Sequence, residues 1–282
     1  MRSVLKAAVL GALAVSTAGA QAIRSTAGFT LNTLARNDDG STGLVNLGFS
    51  IDFFGLSRTQ AYVNNNGNIT FTQALAQYTP DPIVSNGLAI IAPFWADVDT
   101  RGAGSAEVRY GTGTAGGRNV FAVNWIGVGY YDSRFDKLNS FQLWLVDRGD
   151  TGAGNFDFEF NYDRVQWDTG DASNGVNGLC GPTSPGPARA GWANGLAGAN
   201  ARTFELAGSG VCNAFLDTGP AGTRLIGNSL GSEVRGRYVF AVRNGVVQPP
   251  APPPGVVPEP STYALMATGL VGTLLMRRRR RD

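Results

Sequence analysis

The clearest pattern in the chain lies at Phe156–Asp163. Phe156, Phe158, Phe160 and Tyr162 alternate there with Asp157, Glu159, Asn161 and Asp163. A period of two predicts a strand with one face in a core and the other in water, as antiparallel sheets allow. The same period recurs elsewhere. Val45, Leu47 and Phe49 share a face within Val45–Gly55, as do Phe121, Val123 and Trp125 within Asn119–Ile126. Phe141, Leu143 and Leu145 do so within Asn139–Asp147, and Ala106–Tyr110 is a shorter run. Long helical patterns are scarce, and 39 glycines against 23 Lys+Arg mark a turn-rich chain. The expectation is an all-β fold: an antiparallel β-sandwich-like single domain, with long Gly-rich loops at 170–186 and 207–236. No repeat of fixed period is present, which argues against a solenoid or propeller.

The stretch Tyr62–Arg101 organises the rest. Asn66-Gly67 suits a two-residue type I′ turn, which would place Tyr62 opposite Phe71 and Asn64 opposite Ile69. The apolar run Leu88–Val98 contains Pro93, which points to an edge strand, a bulge or the start of a strand. It ends at Asp97 and Asp99, whose spacing in a strand would put both side chains on one face.

The two ends have a different character. Arg2 and Lys6, the apolar Ala7–Val15 and the small residues Ala18-Gly19-Ala20 form a secretory signal peptide, with cleavage before Gln21 or after Ala22. Residues 23–247 are then the domain, and the Pro-rich residues 248–256 an extended linker. The tail, 257–282, opens with Val257, Pro258, Glu259, Pro260 and Ser261. An apolar stretch, Thr262–Met276, follows, and then Arg277, Arg278, Arg279, Arg280 and Arg281. Fifteen helical residues span roughly 22 Å, short for a hydrocarbon core of about 30 Å, so this is a marginal transmembrane anchor with its arginines on the cytoplasmic side. With both end segments set aside, 16 basic and 19 acidic residues remain, interspersed, which gives no electrostatic footprint for nucleic acid.

Two resemblances follow from these motifs. A Pro-Glu-Pro motif, a short span and a terminal arginine cluster, in that order, resemble the PEP-CTERM sorting signal. That resemblance implies recognition by an exosortase, an inner-membrane protease of Gram-negative bacteria. It also implies a transient inner-membrane stage and delivery to the cell surface or the exopolysaccharide matrix. The sequences NDDGS, VNLGFSIDFFG, YVNNNGNITF and IAPFWADVDTR, and later FDFEFNYDRVQWDTGDASNG, ARAGWANG, TFELAGSG and GRYVFAVRNG, resemble the NIDO domain of nidogen and other matrix proteins, over roughly 36–244. This resemblance implies a non-enzymatic cell-matrix adhesion or interaction module, with extracellular polysaccharide or surface proteins as partners.

Candidate chemistry is sparse. The chain has no histidine, which removes Ser-His-Asp and Cys-His catalysis and His-based metal sites. Cys180 and Cys212 are expected to be bridged in an exported chain, two free thiols being the alternative. The bridge would close a loop of about 33 residues, worth roughly 3.7 kcal/mol on a chain-entropy estimate. Asp97 and Asp99 have three readings. As caps of backbone N–H groups at a turn they are structural, which is the reading preferred here. As a glycosidase pair they would flank a sugar. As the start of a calcium loop they fit less well, because Arg101 stands where a third oxygen ligand belongs and no Glu falls at the twelfth position. No cofactor is therefore expected, calcium being the rival and the basis of an alternative, a carbohydrate-binding or calcium-dependent exopolysaccharide protein. Arg148-Gly149-Asp150 spells an animal adhesion tripeptide and Asn68-Ile69-Thr70 a glycosylation sequon; both fall at expected turns.

Overall fold

The computed structural model describes residues 21–250, except 86, 182 and 185. In chain order the strands are β1 (Asn32–Leu34), β2 (Ser41–Phe53), β3 (Leu56–Asn64), β4 (Asn68–Thr70), β5 (Ala89–Trp95), β6 (Val98–Asp99) and β7 (Val108–Ala115). They continue with β8 (Arg118–Tyr130), β9 (Arg134–Asp147), β10 (Phe156–Arg164), β11 (Arg189–Asn194), β12 (Thr203–Glu205), β13 (Arg237–Arg243) and β14 (Val246–Val247). They form two antiparallel sheets. One runs β12-β11-β5-β4-β3-β2, the other β1-β7-β8-β9-β10-β13-β14, with β6 alongside the end of β8. The fold is all-β, as the alternation predicts, and the segments 170–186 and 207–236 are long loops.

The core lies between the sheets. Phe53, Val63, Ile69, Ile91 and Phe94 meet Phe121, Trp125, Phe141, Phe156, Phe158 and Phe160 from the other sheet. Phe94 packs on Phe141 at 5.2 Å between ring centroids, and Phe53 on Phe156 at 6.3 Å. Each buried aromatic ring contributes about 1.5–3 kcal/mol by leaving water, so this one layer accounts for the sandwich. The aromatic stripe of β10 is core along its whole length.

Its opposite face is open to water only at the ends, where Asp163 is exposed and Asp157 partly buried. Glu159 and Asn161 are buried, because residues 21–24 lie over them. Arg24 donates two hydrogen bonds to the Glu159 carboxylate, at 2.8 and 2.7 Å, and Arg237 donates to Asn161 Oδ1 at 3.1 Å. Arg237 also donates to the carbonyls of Gln21 and Ala22, so the segment that begins at Gln21 is part of the fold.

The hairpin forms, but one residue out of the expected register. Tyr62 pairs with Thr70, Val63 with Ile69 and Asn64 with Asn68, which leaves a three-residue loop, Asn65-Asn66-Gly67. Only Gly67 among the three has a positive φ, +74°. Asn66 needs no left-handed backbone; its side chain is turned inward and hydrogen-bonded, as described below. Pro93 lies in an interior strand, β5, at a bulge where Pro93 and Phe94 oppose Ala190 alone, one of the placements its missing N–H permits.

Cys180 and Cys212 are disulfide-bonded, with Cα atoms 5.2 Å apart. The buried Asp168 carboxylate prepares this crosslink. One oxygen accepts the Cys180 N–H at 3.1 Å and the other the Asn213 N–H at 2.7 Å, so both loops are held beside their cysteines.

Two predictions follow from this packing. A Cβ at Gly67 would sit 1.8 Å from the Phe94 carbonyl oxygen, besides requiring the left-handed region. Gly67→Ala should cost more than the 1–2 kcal/mol of backbone strain alone, on the order of 3 kcal/mol; a denaturant midpoint equal to wild type would contradict this register. Removing the crosslink as Cys180→Ser with Cys212→Ser should lower stability by about 3.7 kcal/mol, and thiol labelling of the native exported protein should find no free cysteine.

Candidate functional site

The chain crosses between the sheets twice at the same end. Residues 35–40 lead from β1 in the larger sheet to β2 in the smaller, and Ala96-Asp97 leads from β5 back to β6. The β3–β4 loop holds the two crossings together. The Asn65 amide donates to the carbonyls of Asp38 and Val98. Asn66 donates to Asp39 Oδ1 at 2.8 Å and accepts the Val98 N–H at 3.0 Å. Arg36 adds a second tie, with one guanidinium nitrogen donating to the carbonyls of Thr100, Gly102 and Ser105.

This corner gathers acidic groups. Asp38, Asp39 and Asp97 each bring a carboxylate oxygen to within 4.8 Å of the others. Asp97 is 2% exposed, and its Oδ2 has no hydrogen-bond partner; neither has Asp38 Oδ1. Burial pushes the Asp97 carboxyl up to about 8, with Asp38, Asp39 and Asp99 adding repulsion. Burial likewise pushes Asp38 up to about 6, reinforced by Asp99 and Asp39. The trio can share a proton or offer a set of hard oxygen ligands. It contains no nucleophile paired with a base.

Asp97 and Asp99 do not share a face. The period of two requires a continuous strand, and the strand is broken at Ala96-Asp97 where the chain changes sheets. Asp97 turns toward Asp38 and Asp39, while Asp99 turns toward Arg101. Asp99 accepts from Arg101 Nη2 at 2.6 Å, from the Arg101 backbone N–H at 2.8 Å and from the Ser133 N–H at 2.7 Å. Burial acts to raise the Asp99 carboxyl, but the bonds from Arg101 and Ser133 outweigh it and hold it below the usual range. Asp99 is therefore the turn-capping residue that the sequence suggests, and Asp97 is not. Asp38 and Asp39 were visible in the sequence only as part of a polar turn; nothing local connects them to a residue some sixty positions away.

The two short motifs are occupied within the fold. Asn68 of the sequon is fully buried and donates to the Asn66 carbonyl, so the folded domain does not offer it for glycosylation. Arg148 pairs with Asp150 and Asp157, and Asp150 also with Arg118. The sorting residues 257–261, the apolar stretch 262–276 and the arginines 277–281 lie outside the described residues. Among the described residues no helix is long and apolar enough to cross a membrane.

The nidogen-like domain family matches residues 59–244, about two thirds of the chain, which covers the asparagine loop, most strands of both sheets and Asp97, but not β1, β2, β14, Asp38 or Asp39. The chain belongs to the nidogen-like (NIDO) domain family. Residues 256–281 match the PEP-CTERM protein-sorting motif. The chain is similar to mouse alpha-tectorin, 35% identical over 160 residues, which is 49% of this chain and 7% of that protein. It is also similar to nidogen of Drosophila melanogaster, 31% identical over 130 residues, which is 38% of this chain and 10% of that protein. The chain thus spans a tenth or less of the length of these relatives. No solved structure matches it. A nidogen-like domain carrying this sorting motif is an exported cell-surface or extracellular protein.

The acidic corner sets a pH dependence. Asp97 in the unfolded chain has a pKa near 3.8 against about 8 when folded. The native state keeps a proton that the unfolded state releases, so this contribution is complete below pH ~4 and is lost as pH rises through 8. Asp38 acts in the same direction with a lower upper limit. In chelator, the melting temperature of the NIDO protein should fall between pH 5 and pH 8.5, and Asp97→Asn should flatten that slope. A wild-type melting temperature that rises across the interval would refute it.

Proposed function

We propose that this protein is a non-catalytic interaction module of the bacterial cell surface or extracellular matrix, delivered by exosortase processing of its tail. The observation that carries the reading is the pairing, in one chain, of a nidogen-like domain with a PEP-CTERM motif directly after it. The domain ends at β14, where the Gln248 N–H still bonds the Ala241 carbonyl, and the proline-rich segment follows at once. A rigid sandwich held off the membrane by an extended linker suits presentation to a partner. The partners in this reading are exosortase, during delivery, and matrix polysaccharide or surface proteins afterwards. The geometry gives a hydrolase little support, because Asp99 is committed to Arg101 and Ser133, and Asp97 faces other carboxylates rather than an open cleft.

Both chain ends give a direct test. Gln21 and Ala22 are held by Arg237, and Ala22 is buried, which favours cleavage before Gln21 over cleavage after Ala22. Intact-mass measurement of the surface protein should show a chain beginning at Gln21 and lacking residues 262–282. A surface species that retains the arginine cluster would sink the delivery scheme. A pull-down with the mature protein from its producer's own matrix tests the interaction role, and recovery of neither polysaccharide nor surface protein would count against it.

A further inference from the structure

We propose that Asp38, Asp39 and Asp97 form a binding site for a divalent hard cation of the calcium class, which locks the two inter-sheet crossings together. The inference does not depend on the adhesion role. Three carboxylate oxygens from two segments lie within 4.8 Å of one another. Two oxygens held by one ion at about 2.4 Å, the calcium–oxygen distance, lie at most about 4.8 Å apart, so all three are within reach of one calcium ion. Magnesium keeps most of its water and is usually held by one or two carboxylates, so a set of three protein carboxylates suits calcium better.

An independent observation points the same way. Asp97 is almost wholly buried, yet its Oδ2 receives no hydrogen bond, and Asp38 Oδ1 is also without a donor. Buried carboxylates are ordinarily paired, hydrogen-bonded or bound to a metal. Protein groups do not fill this need. Among the described residues, Arg101 is the one cation ion-paired to the trio, through Asp38 Oδ2 at 2.9 Å, and it spends its shortest ion-pair contact, 2.6 Å, on Asp99. Asn66 takes only Asp39 Oδ1. On the inner side Gly170 presses against Asp97, where a Cβ would come 2.2 Å from Oδ2, so residue 170 supplies no side-chain donor. On the outer side Asp38 and Asp39 are only partly buried, the Asp38 side chain being 20% exposed, so the trio is not sealed off from solvent. The sequence hides the site because its ligands come from both crossings instead of one twelve-residue loop.

The test uses the exported protein, stripped with EDTA, dialysed, and titrated with CaCl2 or MgCl2. Calcium at about a hundredfold excess over its Kd should raise the melting temperature by about 5–10 °C, and calorimetry should show one site. Asp97→Asn should abolish that rise while melting no lower than wild type in EDTA, since it removes repulsion as well as a ligand. If that variant fails to fold, Asp39→Asn, nearer the surface, carries the same comparison. A wild-type melting temperature that ignores CaCl2, an equal rise in the folded variants, or a response to MgCl2 alone would overturn the assignment.

Discussion

The structure depends on a polar loop buried where apolar packing would be expected. Asn64, Asn65, Asn66 and Asn68 are all fully buried at the β3–β4 turn. Burying amides is costly unless nearly every donor and acceptor is matched, and a network so matched admits few other arrangements. Here some of the matching partners lie within the hairpin and others are distant in sequence. Asn65 reaches the carbonyls of Asp38 and Val98, and its own carbonyl accepts the Trp125 indole N–H at 3.0 Å. Asn64 donates to Asn68 Oδ1 at 2.7 Å and accepts from Ser41 Oγ and the Leu75 N–H. One tight turn therefore fixes where the chain leaves the smaller sheet, where it enters the larger, and how one core tryptophan sits.

The hydrophobic pattern made the architecture legible because the core is built on it. Phe156, Phe158, Phe160 and Tyr162 are all inside, as their spacing requires. The failures have a shared cause. A period of two says which face is apolar, but not what will cover the polar face. Glu159 is buried because Arg24, 135 residues away, supplies its counter-charge. The hairpin register slipped for the same reason. Asn-Gly is a strong local signal for a two-residue turn, but three residues in the loop let Asn65 and Asn66 point inward, and those long-range bonds outweigh the local preference.

The acidic corner was the least legible part. Asp97 and Asp99 stood out in sequence as a pair, and the fold separates them. The crossing at Ala96-Asp97 interrupts the strand, so the two carboxylates meet different neighbours. Asp99 acquires Arg101 and two backbone donors, whereas Asp97 acquires two more acids. Asp38 and Asp39 come to the corner because the asparagine loop binds the Asp38 carbonyl and the Asp39 side chain. Spacing within one segment does not encode such an encounter; it exists only once both crossings are pinned.

Asp97 differs from Asp168, another deeply buried carboxylate of the fold. Asp168 is as deeply buried, at 1% exposure against 2%. Its two oxygens accept the N–H groups of Cys180 and Asn213 and the Thr169 hydroxyl, so its charge is met by donors that also order the disulfide loops. The fold therefore can solvate an isolated buried carboxylate with its own backbone, and at Asp168 it does. At Asp97 it instead adds two further carboxylates and leaves Oδ2 without a donor among the described residues. Arrangements that break the usual pairing of buried charge are rarely neutral for stability. They persist where the unpaired group has work that a paired one could not perform, and for this cluster the work proposed above is to receive a cation.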